Sequence, residues 1–285
     1  MSDDRRRRIL VTGARGMLGR DVCAALRRRH DVTGVDVEDA DISDPRAIAR
    51  TVAGVGPDEI VHCAAYTNVD GCERDPETAF RVNAEGTLHV AEAAEAVGAG
   101  LTYISTDFVF DGAKREPYVE SDEPNPLSVY GESKLMGERH VRAVCSRWRI
   151  VRTAWLFGAG GKNFVRSIVE AARAGKQLRV VGDQTGSPTF TEDLARCIAD
   201  LLFRLDGICH VTNSGSCTWY ELARAALDAA DMKTVAIKPI AASEWPSPTK
   251  RPAYSVLGSE VLEGLGLPPL RSWREAVADY VRRHL

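Results

Sequence analysis

Residues 9–19, ILVTGARGMLG, constrain this chain more than any other stretch. A short apolar strand, Ile9 to Thr12, runs directly into a turn carrying Gly13, Gly16 and Gly19. A helix then begins near Leu18, with Leu18, Val22, Ala25 and Leu26 on one face. Glycines at a strand-to-helix junction let the backbone turn sharply and come close to a pyrophosphate. The helix start adds unpaired N–H groups and the positive end of its dipole. The spacing is G-x-x-G-x-x-G, wider than the simplest dinucleotide fingerprint. A tight turn without a ligand shares that pattern, so its meaning depends on the pattern of elements downstream.

Beyond Gly19 the chain alternates repeatedly between strand and helix. DVTGVD, ending at Asp36, reads as a second strand, EIVHCAA (59–65) as a third and LTYISTD (101–107) as a fourth. A long alanine-rich helix is expected over 76–97, another over SVYGESKLMGERHV, and a fifth strand over WRIVRTAWLF (148–157). Nearly all-apolar strands separated by helices predict an α/β fold, a Rossmann-type doubly wound parallel sheet covered on both faces. Past Phe157 the pattern loosens. Helices over 164–174 and 192–205 flank the loop VGDQTGSPTF, and the strand ICHVTN precedes a helix near Thr218. A stretch rich in Pro and Ser covers 239–252, and an amphipathic helix comes after Ser272. We expect 1–152 to form mainly the dinucleotide-binding domain and 153–285 mainly a smaller substrate-binding domain, with some chain crossing between lobes.

At 285 residues the chain can bury a core without staples. Lysine and arginine number 37 against 40 acids, a formal net charge of -3, which leaves no basic excess for nucleic acid or a membrane surface. The seven cysteines are odd in number, scattered and never spaced C-x-x-C, favouring neither a disulfide framework nor a zinc site. In MSDDRRRRILVTG the apolar run is only Ile9-Leu10-Val11, too short for a signal peptide. The four arginines read as a solvated arm ahead of the first strand. A reduced, cytoplasmic protein is the expectation.

Asp36 closes the second strand, where an acid binds the adenosine ribose hydroxyls and favours NAD. Arg15, inside the turn, is placed to meet a 2′-phosphate and favours NADP. The two signals conflict, so NADPH and NADH both stay open. Asp41 and Ile42 border the adenine or belong to a plain surface loop. Tyr130 and Lys134, in YGESK, stand four apart on a helix and share a face. A tyrosine of pKa about 10 is a poor proton donor or acceptor at neutral pH. A lysine ammonium one turn away is expected to draw it toward the working range. Ser105-Thr106-Asp107 end the fourth strand, and ligands bind at the C-terminal edge of such sheets. Elsewhere the plainer readings hold. His62 and His210 are satisfied core histidines, Cys63 a buried inert thiol, and Asp70 and Glu73 salt-bridged surface acids. Trp155, Trp219 and Trp245, taken singly, are packing residues.

The glycine turn, AAYT (64–67), STD (105–107) and Y-x-x-x-K together resemble an extended short-chain dehydrogenase/reductase. More narrowly, STDFVFDG, PLSVYGESKLMGE, VRTAWLFG, GKNF, DQTGSPT, TWYELA and RPAYSVL resemble the dTDP-4-dehydrorhamnose reductase family, in order over almost the whole chain. That resemblance implies NAD(P)H-dependent reduction of the C4 keto group of dTDP-4-dehydro-L-rhamnose. Gly13, Gly16, Met17, Leu18 and Gly19 would wrap the pyrophosphate, and Ala64, Ala65 and Tyr66 would line the two riboses. Thr106, Tyr130 and Lys134 would be the catalytic triad, with Asp107 and Trp155 near the substrate. Asn163 and Arg251 would grip the nucleotide-sugar diphosphate, and Asn83 would be a structural or proton-relay residue. Tyr254 departs from the asparagine common in relatives. Some members dimerise through magnesium held by glutamates. Asp21 and Glu192 stand in comparable places here, but no essential metal is expected, since hydride transfer needs none. A homodimer is left open. The rival readings are another nucleotide-sugar 4-ketoreductase or epimerase of the superfamily, or a non-catalytic regulatory subunit of reductase fold, such as that of methionine adenosyltransferase.

Overall fold

The computed structural model describes residues 6–285. Five strands open the fold: β1 (Arg8–Thr12), β2 (Asp31–Val35), β3 (Glu59–His62), β4 (Gly100–Thr106) and β5 (Trp148–Thr153). They pair in parallel in the order β2-β1-β3-β4-β5, with Leu10 opposite both Thr33 and Ile60. The winding reverses between β1 and β3, which opens a crevice beyond the C-terminal ends of the strands. Alternate residues of β1 serve two cores. Ile9 and Val11 pack with Leu18, Val22 and Leu26 of α1 (Met17–Leu26). Leu10 packs instead with Ile48 and Val52 of α2 (Pro45–Val55). The basic run is not a free arm. Arg8 begins β1, Arg6 pairs with Asp31 at 2.7 Å, and the Arg7 guanidinium lies 5.7 Å from the centre of the Phe203 ring. Arg5 lies outside the described residues.

After α3 (Val69–Arg74), the alanine-rich segment is not one regular α-helix. α4 (Pro76–Phe80) passes through a π-helical turn (Arg81–Glu85) into α5 (Gly86–Ala96). Such turns occur frequently at functional sites. This one buries Asn83, whose Oδ1 accepts from the Tyr66 amide at 2.8 Å while Nδ2 donates to the Tyr66 carbonyl at 3.1 Å and to Ser133 at 3.1 Å. Asn83 is therefore a structural clasp on the loop after β3. Ser133 belongs to α6 (Val129–Val144), which carries Tyr130 and Lys134.

The fifth strand stops earlier than its sequence implies. β5 ends at Thr153, and a separate two-residue strand, β6 (Leu156–Phe157), comes next. The break is Trp155, whose φ of 47° is left-handed, costly for a bulky residue. The chain then builds α7 (Phe164–Arg173), β7 (Leu178–Val181), β8 (Thr185–Gly186), β9 (Thr189–Phe190) and α8 (Thr191–Leu201). β10 (Gly207–His210) returns to the main sheet as its sixth strand, parallel to β5, and α8 packs beside α1. The last part holds β11 (Asn213–Ser214), β12 (Cys217–Thr218), α9 (Trp219–Ala229), β13 (Ile237–Ile240), α10 (Glu260–Gly264), β14 (Leu270–Ser272) and α11 (Trp273–His284). Its short strands pair two by two, β6 with β9, β7 with β13, β8 with β12 and β11 with β14. A separate core of Phe157, Phe190, Leu222, Trp273 and Tyr280 fills this lobe.

Two buried carboxylates brace the main sheet. Near the start of β3, Glu59 pairs with Arg149 at 2.7 Å and with Arg147. At the site edge, Glu138 of α6 accepts from Arg152 of β5 at 2.9 and 2.7 Å and from the Ser105 hydroxyl of β4 at 2.5 Å. Arg152 also lies 3.4 Å from Nε2 of His210, whose Nδ1 faces the carbonyls of Tyr118 and Gly258 at 3.0 and 2.9 Å. Nδ1 is thus the donor and Nε2 the acceptor, and burial lowers the His210 pKa, keeping the ring neutral. Breaking a buried pair leaves an uncompensated charge, whereas replacing both partners with apolar groups avoids that penalty. Arg152→Met is expected to cost about 3–5 kcal/mol in urea unfolding. Glu138→Leu added to it should restore much of that loss. Equal instability of single and double variants would contradict the charge-pair account.

Candidate active site

The glycine turn is built for close approach. Gly13 has φ +66°, and a Cβ there would fall 2.7 Å from the Ala64 amide nitrogen. A Cβ on Gly19 would fall 2.1 Å from the Gly13 carbonyl oxygen, and one on Gly16 3.1 Å from it. The turn therefore closes on itself and on the loop after β3. α1 starts at Met17 with no side-chain cap, so its first amides stay open to an anion. A cleft of about 890 Å³ runs from this turn across the ends of β1, β3 and β4 to Trp155 and Arg251. Asp36, Asp41 and Ile42 line its far end, with Ala64, Ala65 and Tyr66 along the middle. The glycine contacts and uncapped helix start fit a dinucleotide pyrophosphate.

Thr106, Tyr130 and Lys134 meet on one wall of that cleft. α6 starts at Val129 because the Ser128 side chain caps it, accepting from the Gly131 amide at 3.1 Å. Gly131 lets that first turn press on β4's exit, since a Cβ there would stand 2.2 Å from the Phe108 carbonyl oxygen. Tyr130 consequently hydrogen-bonds Thr106. Lys134 donates to the Ile104 carbonyl at 2.7 Å and lies 4.1 Å over the Tyr103 ring. The expectation that Lys134 draws the Tyr130 pKa down is not met. Burial raises Tyr130, opposed by its Thr106 hydrogen bond, and burial lowers Lys134 to about 7, with Glu138 opposing. In this geometry the phenol stays protonated.

Burial keeps two groups beside this wall uncharged. His62 accepts from Thr12 at 2.6 Å and donates through Nε2 to Thr87 at 3.2 Å, because the Thr87 proton goes to the Asn83 carbonyl. Burial lowers its pKa to about 3, with repulsion from Lys134 the lesser cause. Burial also raises Cys63 to about 12, so that thiol is inert. Asp107, beside the reacting wall, is raised to about 6 by burial, against hydrogen bonds from Ser255 and Thr106. Thr106 donates to it at 3.0 Å.

At the opposite end, Trp155 stacks on Trp219 with ring centres 3.5 Å apart and planes 7° from parallel. Gly186 of the DQTGSPT loop gives Trp155 its seat, since a Cβ there would strike the indole at 2.4 Å. Trp219, read singly from the sequence as a packing residue, also lines the cleft. Arg251 faces the cleft while donating to Asp70 at 2.7 Å and to Ser247. Asp70 is thus not merely a surface acid, for it also accepts from Ser247 and Thr249 at 2.8 Å each and joins the two lobes. Asn163 does not face the cleft. Its Oδ1 caps α7 through the Arg166 amide at 3.0 Å, and Nδ2 donates to the Gly158 carbonyl and Tyr280 hydroxyl at 3.0 Å each. The preceding Lys162 lines the cleft instead. Tyr254 packs with Val109, Phe110 and Tyr118, outside the main cleft. Glu192 is engaged by Arg283 and, at 3.2 Å, by Arg196, with burial-raised Asp21 alongside. Among the described residues no three His, Cys, Asp or Glu side chains converge as metal ligands.

A doubly wound sheet, a glycine cradle and a buried Tyr–Lys wall at the strand ends define a dinucleotide-dependent oxidoreductase. Comparison with known proteins narrows this class: the RmlD substrate binding domain family matches residues 7–285, and the chain belongs to it. A dTDP-4-dehydrorhamnose reductase from Streptomyces griseus is 42% identical over 287 residues, covering 98% of this chain and 94% of that one. A solved dTDP-4-dehydrorhamnose reductase from Clostridium acetobutylicum shares 40% identity with a TM-score of 0.93, over 96% of this chain and 98% of the other. A Bacillus anthracis reductase of that name, solved in complex with NADP, shares 37% identity with a TM-score of 0.94, over 97% and 99%.

The cradle makes a direct prediction. Gly13→Ala should weaken NADH binding at least tenfold in a fluorescence titration of the reduced nicotinamide. Unchanged affinity would contradict the close-approach account.

Proposed function

We propose that this chain catalyses NAD(P)H-dependent reduction of the C4 keto group of dTDP-4-dehydro-L-rhamnose to dTDP-L-rhamnose, in deoxysugar biosynthesis. One observation carries the reading: Thr106, Tyr130 and Lys134 share a buried wall of the cleft that begins at the Gly13–Gly19 cradle. NAD(P)H supplies the hydride when bound. The catalytic residues are then Thr106, Tyr130 and Lys134. The Tyr130 phenol, kept neutral by burial, donates its proton to the developing alkoxide. Thr106 turns its hydroxyl from Asp107 to the carbonyl oxygen and shares the charge there. Lys134 holds the nicotinamide ribose and stabilises the tyrosinate left on Tyr130.

Residues 1–152 would supply most of the dinucleotide site and 153–285 most of the sugar site, although β10 and α8 of the later segment complete the packing of the first domain. Arg251, oriented by Asp70, suits a diphosphate because its planar fork pairs with phosphate oxygens. Lys162 adds a second cation at the cleft mouth. Asp107 and Trp155 face the sugar-nucleotide side. We place the protein in the cytoplasm, where its seven unpaired cysteines suit a reducing compartment. No helix of the described residues is long and apolar enough to cross a membrane.

An assay with a panel of dTDP-4-keto sugars tests the assignment. One equivalent of NAD(P)H should be consumed per sugar reduced, with dTDP-4-dehydro-L-rhamnose turned over fastest. Isomerisation without net consumption would replace the reductase by an epimerase. Tyr130→Phe should lower kcat by about 10²–10⁴-fold while leaving cofactor affinity within about threefold. Retained turnover would sink the role of Tyr130. Because Lys134 titrates near 7 in the free protein, kcat/KM for NAD(P)H should fall as pH rises through about 7. Lys134→Arg, which stays charged, should move that fall upward. A profile flat to about pH 9 would contradict the assignment.

A further inference from the structure

NADH and NADPH differ only by a phosphate on the adenosine ribose, and the far end of the cleft must tell them apart. Asp36, Val37, Ala40 and Asp41 line that end. Asp36 is held in place through backbone amides. Its Oδ2 accepts from Arg15 at 2.7 Å and its Oδ1 from Val37 at 2.9 Å, while its own amide donates to Asp39 at 2.9 Å. A carboxylate fixed in this way accepts hydrogen bonds from a ribose diol. A 2′-phosphate offers it no proton and brings about -1.5 to -2 charges.

The cation that would answer such a phosphate is Arg15, inside the glycine turn. Its guanidinium is already engaged, on one side by Glu38 and on the other by Asp39 at 3.0 and 3.2 Å. Both acids come just after Asp36 in the turn leaving β2, so the segment that presents the ribose acceptor also captures the arginine of the glycine turn. Two carboxylates, Glu38 and Asp39, then hold one guanidinium, with the Asp36 carboxylate on the Arg15 amide beside it. Arg81, also along the cleft, reaches Thr78 at 3.1 Å and Ser43 at 3.4 Å on the side of Asp41, whose charge it helps to balance. The adenosine end therefore keeps a negative excess where the extra phosphate would sit.

We infer that this chain selects NADH over NADPH, and that Glu38 and Asp39 are the specificity-determining residues because they occupy Arg15. This rests on the oxidoreductase reading above and adds to it the choice of cofactor. The pairs are half exposed, with side-chain accessibilities of 54% for Arg15, 66% for Glu38 and 41% for Asp39. The discrimination is accordingly electrostatic, and salt should weaken it.

The test is binding, with no sugar present. Dissociation constants of NADH and NADPH are measured on the full chain by nicotinamide fluorescence at low salt. NADH should bind at least tenfold tighter, a difference of about 1.4 kcal/mol. The pair Glu38→Gln and Asp39→Asn frees Arg15 while leaving Asn an oxygen for the Asp36 amide. It should narrow the preference at least fivefold by improving NADPH binding. Arg15→Ala should change NADPH affinity less than twofold in the parent chain, yet cancel the gain in the Glu38→Gln, Asp39→Asn background. Equal or tighter NADPH binding by the parent chain overturns the inference. So does an unaltered preference in the double variant, or a large loss of NADPH affinity on Arg15→Ala alone. If neither dinucleotide binds, the oxidoreductase reading itself fails, an outcome distinct from mistaken selectivity. Circular dichroism confirms folding of each variant, all substituted at the surface.

Discussion

The carboxylate of Glu138 ties together the three elements from which the active site is made. It sits on the helix that carries Tyr130 and Lys134, one turn beyond the lysine. It is hydrogen-bonded by Ser105, the residue before Thr106, and by Nε and Nη2 of Arg152, the residue before β5 ends. With side-chain exposures of 2% each, Arg152 and Glu138 carry a large desolvation cost that only close, multiple contacts can offset. Those contacts tie α6 to the strand ends, which brings Tyr130 beside Thr106. Arg152 carries the same constraint through His210 to β10, which explains how a strand from the later half of the chain supports a site in the first.

Around that tie the protein holds several groups of the reacting wall uncharged. His62 is held neutral, Cys63 is held as a thiol, and Tyr130 remains a phenol, all by burial. Lys134 and Asp107 stay poised near neutrality, the lysine charge penalised by burial and supported by Glu138. A neutral phenol beside a hydroxyl suits proton delivery to an oxyanion. In the function proposed above the phosphates would be served differently, by backbone amides at the cradle and by Arg251, held by Asp70. That arrangement agrees with a surface of nearly balanced charge, since a formal net charge of -3 provides no basic face to gather anions.

Much of the fold is legible in the sequence because parallel strands buried on both faces leave short apolar runs, as in Ile9–Leu10–Val11 and Ile60–Val61. The glycine turn and the Tyr130–Lys134 spacing are legible because both depend on local backbone geometry. Features set by distant contacts are not. The π-helical turn at Arg81–Glu85 is held by Asn83 contacts to Tyr66 and Ser133, and Trp155 breaks its strand to stack on a tryptophan sixty-four residues away. The motif around Asn163 points to a diphosphate, but as the N-cap of α7 this residue commits its polar atoms to the fold. Asp70 reads as a surface acid because its partner, Arg251, lies 181 positions along the chain.

The central claim is direct hydride transfer to a sugar carbonyl with the proton supplied by Tyr130. An isotopic label tests it most directly. Reduced cofactor carrying deuterium at the transferring position of nicotinamide C4 is incubated with dTDP-4-dehydro-L-rhamnose, and the sugar product is read by mass spectrometry and NMR. The account predicts one deuterium, on sugar C4, in every product molecule formed. A product without deuterium, or with solvent hydrogen at that carbon, would contradict it.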